Sequence, residues 1–87
     1  MSNSEPTEVH ISGYVVQAQP IQVEAITAAI DEMAGAEIHG ANEHGKMVLT
    51  LETTKEEDIA ERIIEINSLP GVINTALVYH QIDEEPN

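Results

Sequence analysis

Eighty-seven residues carrying sixteen acids, three basic residues and no cysteine give a formal charge of −13. That length supports one hydrophobic core, not two. The charge all but excludes nucleic acid as a partner, because such binding needs Lys and Arg to displace counterions from phosphate. The missing cysteines exclude disulfides, thiolate zinc sites and thiol catalysis. An anionic membrane surface is repelled on the same grounds, whereas a basic partner is steered inward. No basic N-terminal segment leads into an apolar run, and no stretch nears the roughly 20 apolar residues of a membrane span. A cytoplasmic protein with no membrane span is therefore expected. Eleven Ile and seven Val stand against four Leu, with no Phe or Trp. β-Branched side chains are stiff at χ1 and suit a pleated sheet, so helices covering a sheet are expected rather than a bundle.

Residues 1–8 are polar, contain Pro6, and read as a flexible start. Residues 9–18 are β-rich and form the first strand. Pro20 suits the first turn of a helix. Val23, Ile26, Ile30 and Met33 then recur at helical spacing, and Gly35 is placed to end that helix. Residues 36–41 are a second strand, joined through Asn42-Glu43-His44-Gly45 to a third at residues 46–52. Thr54 and Glu57 have the spacing of a capping box. Ile59, Ile63 and Ile66 give a second helix its apolar face, and Leu69-Pro70-Gly71 stops it. The last strand is expected at residues 72–82, followed by a flexible acidic tail at 83–87.

The order βαββαβ repeats internally. A shift of 36 positions lays Val23 on Ile59, Ile30 on Ile66, Met33 on Leu69 and Gly35 on Gly71. The same shift lays Ile11 on Met47, Gly13 on Leu49 and Val15 on Leu51. Two interleaved βαβ units with right-handed crossovers make an α+β, ferredoxin-like sandwich. The predicted sheet is four-stranded and antiparallel, in order 4-1-3-2, with both helices on one face. One domain spans residues 9–82. The shift of 36 also predicts which side chains face the helices: Ile11, Val15, Met47, Leu49 and Leu51, with Val72, Ala76 and Val78 in the last strand. Their alternates then face away. These are Ser12, Tyr14, Val16, Val48, Thr50, Thr75, Leu77 and Tyr79. An exposed cluster of Tyr14, Val16, Val48, Leu77 and Tyr79 suggests a binding surface.

Catalytic chemistry finds little support, and no catalytic residue is assigned. No Ser or Thr has the setting of an activated nucleophile, and an 87-residue sandwich has scarcely room for an apolar pocket around an acid. Gly-rich phosphate loops are absent. His39 and His44, with Glu37 or Glu43, flank the turn between strands two and three, but read as solvated side chains rather than a metal site. His10 and His80 lie at strand ends that meet in an antiparallel pair, and a structural role is expected for them. No metal and no cofactor are expected.

Gly13-Tyr14-Val15-Val16-Gln17-Ala18 resembles the first strand of NapD proteins. Gly71-Val72, then Leu77-Val78-Tyr79-His80 and an acidic end, is similar to their last. The resemblance covers about residues 9–85, and Tyr14 stands where an aliphatic residue is expected. It implies a cytoplasmic chaperone for the catalytic subunit of the periplasmic nitrate reductase, a molybdenum and iron–sulfur protein exported folded by the twin-arginine route. The chain would bind that subunit's twin-arginine signal peptide and delay export until the cofactors are inserted. Tyr14, Val16, Val48, Leu77 and Tyr79 would supply apolar contacts, Ser12 and Thr50 hydrogen bonds, and nearby acids would attract the arginines. A monomer is expected. The alternative is a small ligand-sensing regulatory module of the same fold, dimerising on its ligand.

Overall fold

The structure, a computed structural model, describes residues 7–85. The expected flexible residues 1–6 and 86–87 lie outside that range. In chain order the elements are β1 (Thr7–Ala18), a 3-10 turn (Pro20–Gln22), α1 (Val23–Asp31), β2 (Ala36–Ala41), β3 (Lys46–Thr53), α2 (Glu56–Asn67) and β4 (Val72–Glu85). All strand pairs are antiparallel and the sheet runs β2-β3-β1-β4. This is the predicted ferredoxin-like α+β sandwich.

The two halves repeat in their turns as well as their helices. Gly35 and Gly71 both take positive φ, +81° and +94°, in the turns that lead into β2 and β4. Positive φ is strained for side chains with a Cβ, which is why glycine stands at both places. Met33 and Leu69 occupy the same turn position, donating to the Ile30 and Ile66 carbonyls. Both helices end before these turns, so Met33 and Leu69 pack against the core from non-helical backbone.

Several boundaries differ from expectation: β1 begins at Thr7, inside the expected flexible start, and β3 ends at Thr53. The capping box does not form: the N-cap of α2 is Lys55, with no side-chain cap. The carboxylates Glu56, Glu57 and Asp58 crowd the first turn instead and oppose the positive end of the helix dipole. β4 also runs past Ile82, with Asp83, Glu84 and Glu85 paired to Val9, Glu8 and Thr7. The β1–β4 ribbon thus outreaches β2 and β3 and lengthens the molecule to 51 Å against 19 × 16 Å.

The core corrects the expected faces of β1. Tyr14, Val16 and Ala18 are buried with Met47, Leu49, Leu51, Ile26, Ile30 and Ile66. The even-numbered side chains of β1 therefore face the helices, and Ile11, Gly13 and Val15 face away. β3 keeps the expected assignment, with Met47, Leu49 and Leu51 inside. The cause is one residue. The link from Ala18 to Val23 is one residue shorter than that from Thr53 to Ile59. The helices repeat at 36 positions, but β1 and β3 repeat at 35, with Tyr14 equivalent to Leu49 and Val16 to Leu51. In a strand, a slip of one residue exchanges the two faces.

Candidate functional site

The sheet face away from the helices carries a groove of about 600 Å³. Its floor is Ile11, Gly13 and Val15 of β1 with Val48 and Thr50 of β3; Glu37, His39 and Glu52 lie on one side, Val78 and Tyr79 on the other. Register explains the shape. Gly13 pairs with Tyr79 but Tyr14 with Leu77, so Val78 is an extra residue in β4. Ile38 pairs with Leu49 but Gly40 with Val48, so His39 is an extra residue in β2. Tyr14 and Leu49 are themselves partners. The two bulges thus stand at the same level on opposite edges of the sheet. Bulges bend a strand and re-aim its side chains, and both extra residues line the groove. They also interrupt the two free edges, which discourages edge-to-edge pairing.

Gly13 opens the floor further. A Cβ at this position would lie inside the Tyr79 ring, so the phenol packs flat on the bare backbone of β1. Tyr79 remains 44% exposed and Val48 also 44%, which leaves both available for contact. Thr50 Oγ1 shares a hydrogen bond of 2.8 Å with His39 Nε2, holding the imidazole beside the groove.

Charge divides this face lengthwise. Toward the start of β1, Glu52 pairs with Ile11 and Asp83 pairs with Val9, and Glu37 follows at mid-strand, paired with Thr50 opposite Gly13. At the other end Lys46 pairs with Gln17, which pairs in turn with Asn74. The remaining cations, Lys55 and Arg62, belong to the start of α2 and its body. Ile11, Val15, Val48 and Tyr79 fill the space between.

The expected site residues separate onto two faces. Val48, Thr50 and Tyr79 lie on the open face as anticipated. Ser12 and Val16 are in the core, 1% and 0% exposed, and Tyr14 is 6% exposed. Leu77 pairs with Tyr14 and shares its side of the sheet. Tyr14 and Leu77 line a smaller hollow of about 250 Å³ against Ile59 and Ala60 of α2. Thr75, paired with Val16, turns inward, whereas Ala76, paired with Val15, turns outward. Of the expected inner residues of β4, Val72 packs against the core, while Val78 sits on the bulge and lines the groove.

Ile11, Val15, Gly13, Val78, Glu37, His39 and Glu52 were not anticipated at the site. Ile11 and Val15 were assigned to the core by the shift of 36. The two bulges leave no signal in composition or periodicity, and the acids were hidden among sixteen.

His10 and His80 do meet. Their rings stack at 5.3 Å between centroids, and His10 Nδ1 lies 3.1 Å from His80 Nε2. One ring donates and the other accepts, so the contact requires a lone pair on at least one of them. The pair lies on the helix side, where His10 is 4% exposed, away from the groove. Ser12 Oγ beside it finds no hydrogen-bond partner. His44 Nε2 is 3.9 Å from Glu43, and both side chains are solvated. Among the described residues no three potential metal ligands gather. No helix among them is long and apolar enough to cross a membrane.

The sequence model of the NapD protein family matches residues 9–84. The chaperone NapD of Haemophilus influenzae is 32% identical over 77 residues, which cover 87% of this chain and 83% of that protein. The chaperone NapD of Escherichia coli K12 is 25% identical over 80 residues, covering 91% of this chain and 92% of its own. The solution structure of the E. coli Tat proofreading chaperone protein NapD superposes with a TM-score of 0.77 at 24% identity, over 84% of this chain and 78% of that one. A transcriptional regulatory protein of the AsnC family from Pyrococcus furiosus shares the fold more distantly. Its TM-score is 0.57 at 16% identity, over 93% of this chain and 52% of that one.

Proposed function

The chain belongs to the NapD family, and from that membership we propose that it is a cytoplasmic chaperone that binds a twin-arginine signal peptide on the open face of its sheet. The peptide is that of the periplasmic nitrate reductase catalytic subunit, and binding delays its export until the cofactors are in place. The protein is a binding module and not an enzyme. The observation that supports this reading most is the groove itself, an apolar trough in a chain of charge −13. A signal peptide combines a positively charged segment with an apolar one, and the face offers a counterpart to each.

The peptide's conformation follows from the chemistry of a sheet face. The face presents side chains only, because β1 and β3 spend their backbone groups on neighbouring strands. A peptide desolvated there must satisfy its own backbone, which a helix does. A helix about 10 Å wide lies along the trough between the bulges. Val48 and Tyr79 then serve as anchors, with Ile11, Val15 and Val78 around them. Thr50 is engaged with His39 and acts through that imidazole.

The ligand-sensing alternative keeps only a shared fold in its favour. Calorimetric titration with the signal peptide separates the two. One-to-one binding that weakens when both arginines become glutamine supports the chaperone reading. Absence of binding to the intact peptide overturns it.

A further inference from the structure

We propose that the open face fixes the direction of the bound peptide: its basic segment lies over Glu37 and Glu52, and its chain runs parallel to β1. This rests on the reading of the groove as the signal-peptide site and goes beyond it by assigning the receptor carboxylates and the polarity.

Two independent features carry the proposal. The first is continuity. Glu37 and Glu52 line the same groove as Ile11, Val15 and Val48, so one ligand reaches carboxylates and apolar floor together. The second is asymmetry. Asp83 and Glu52, opposite Val9 and Ile11, stand toward the end where β1 begins, Glu37 stands at mid-strand at the level of Gly13, and Lys46 stands at the end where β1 finishes. A peptide whose cations precede its apolar stretch meets attraction in one orientation. In the reverse orientation its cations face Lys46 and the uncharged Gln17 and Asn74, and its apolar end is driven onto Glu52 and Asp83. The distance also fits. From Glu52, opposite Ile11, to Lys46, opposite Gln17, the sheet spans six residues of β1, about 20 Å at roughly 3.3 Å per residue. A helix of about 13 residues covers that length, enough for a pair of cations and two to three turns of apolar residues.

Glu37 and Glu52 are exposed and make no ion pair among the described residues. Their charge is therefore free to receive a guanidinium, which donates two parallel N–H···O hydrogen bonds to the two oxygens of a carboxylate. Gln81 already donates to Asp83 at 3.1 Å, so Asp83 serves as a flanking charge rather than the principal receptor.

The test uses the full chain and a synthetic peptide with two adjacent arginines followed by an apolar stretch, carrying a nitroxide at one end or the other. A label at the peptide's N-terminus should broaden the amides of Ile11, Glu37, Glu52 and Asp83. A label at its C-terminus should broaden Gln17, Lys46 and Asn74. The opposite pattern overturns the direction while leaving the face intact. Broadening at Ile59, Ala60 and Leu77 overturns the face and the direction with it. Charge gives a second readout. Joint replacement Glu37→Gln and Glu52→Gln should weaken the arginine peptide about tenfold, the equivalent of about 1.4 kcal/mol for two rim ion pairs. The same replacement should leave binding of a peptide with glutamines in place of arginines unchanged. Equal affinity of the double variant and the native chain for the arginine peptide overturns the assignment of the carboxylates. Because both side chains are exposed, the melting temperature should stay constant and confirms that the variant is folded.

Discussion

Replacing Gly13 with alanine should leave the fold intact and damage the groove. The residue's φ is not positive, so alanine is compatible with the backbone. Alanine in a strand gains about 0.5–1 kcal/mol over glycine through the unfolded chain. Against that stands the Tyr79 ring, which occupies the space of the new methyl. The ring is 44% exposed and swings outward at a cost of about 0.5–1.5 kcal/mol for a strained side-chain torsion. The two effects nearly cancel, so urea denaturation should report a stability within about 1 kcal/mol of the native chain. Binding has no such compensation. A displaced anchor loses about 1.4–2 kcal/mol, and affinity for the signal peptide should fall tenfold or more. Because the change acts through the ring, the double variant Gly13→Ala, Tyr79→Ala should bind no worse than Tyr79→Ala alone. Additive losses, or a stability loss above about 2 kcal/mol for Gly13→Ala, would refute the picture of a mobile phenol resting on bare backbone.

Other consequences follow from the same packing. Tyr14→Ala should lower the unfolding free energy by about 3–5 kcal/mol, because it empties a core position, whereas Tyr79→Ala should cost under about 1 kcal/mol; denaturant titration compares them. Gly35→Ala should destabilise by about 1–3 kcal/mol, since its φ is +81° and a Cβ would strike the Glu52 carbonyl oxygen, which is backbone and cannot yield. Stopped-flow association of the signal peptide should slow between low and physiological salt, as the Debye length shortens to about 8 Å; a salt-independent rate would remove acid steering from the account.

Topology was legible in the sequence because it rests on spacings that tolerate small errors. Val23, Ile30 and Met33 mark one helix face whether the helix ends at Asp31 or later, and their counterparts at Ile59, Ile66 and Leu69 establish the repeat. The face of β1 was not legible, because strand parity tolerates no error at all. Val15 and Val16 are both apolar and Tyr14 suits either side, so β1 carries little alternation of its own. Its assignment was borrowed from β3 through a repeat that loses one residue at the Pro20–Gln22 turn. The groove was hidden for a related reason. It arises where the bulges at His39 and Val78 share a level across four strands, a property of register and not of composition.

Binding of peptide on the open face is open to backbone and methyl chemical-shift mapping during titration of the isotope-labelled chain with signal peptide. The largest changes should fall at Ile11, Val15, Val48 and Tyr79, with Ile59, Ala60 and Leu77 nearly still. Changes centred on Leu77 and α2, or on Gly40 and Ala41 at the free edge of β2, would overturn that placement.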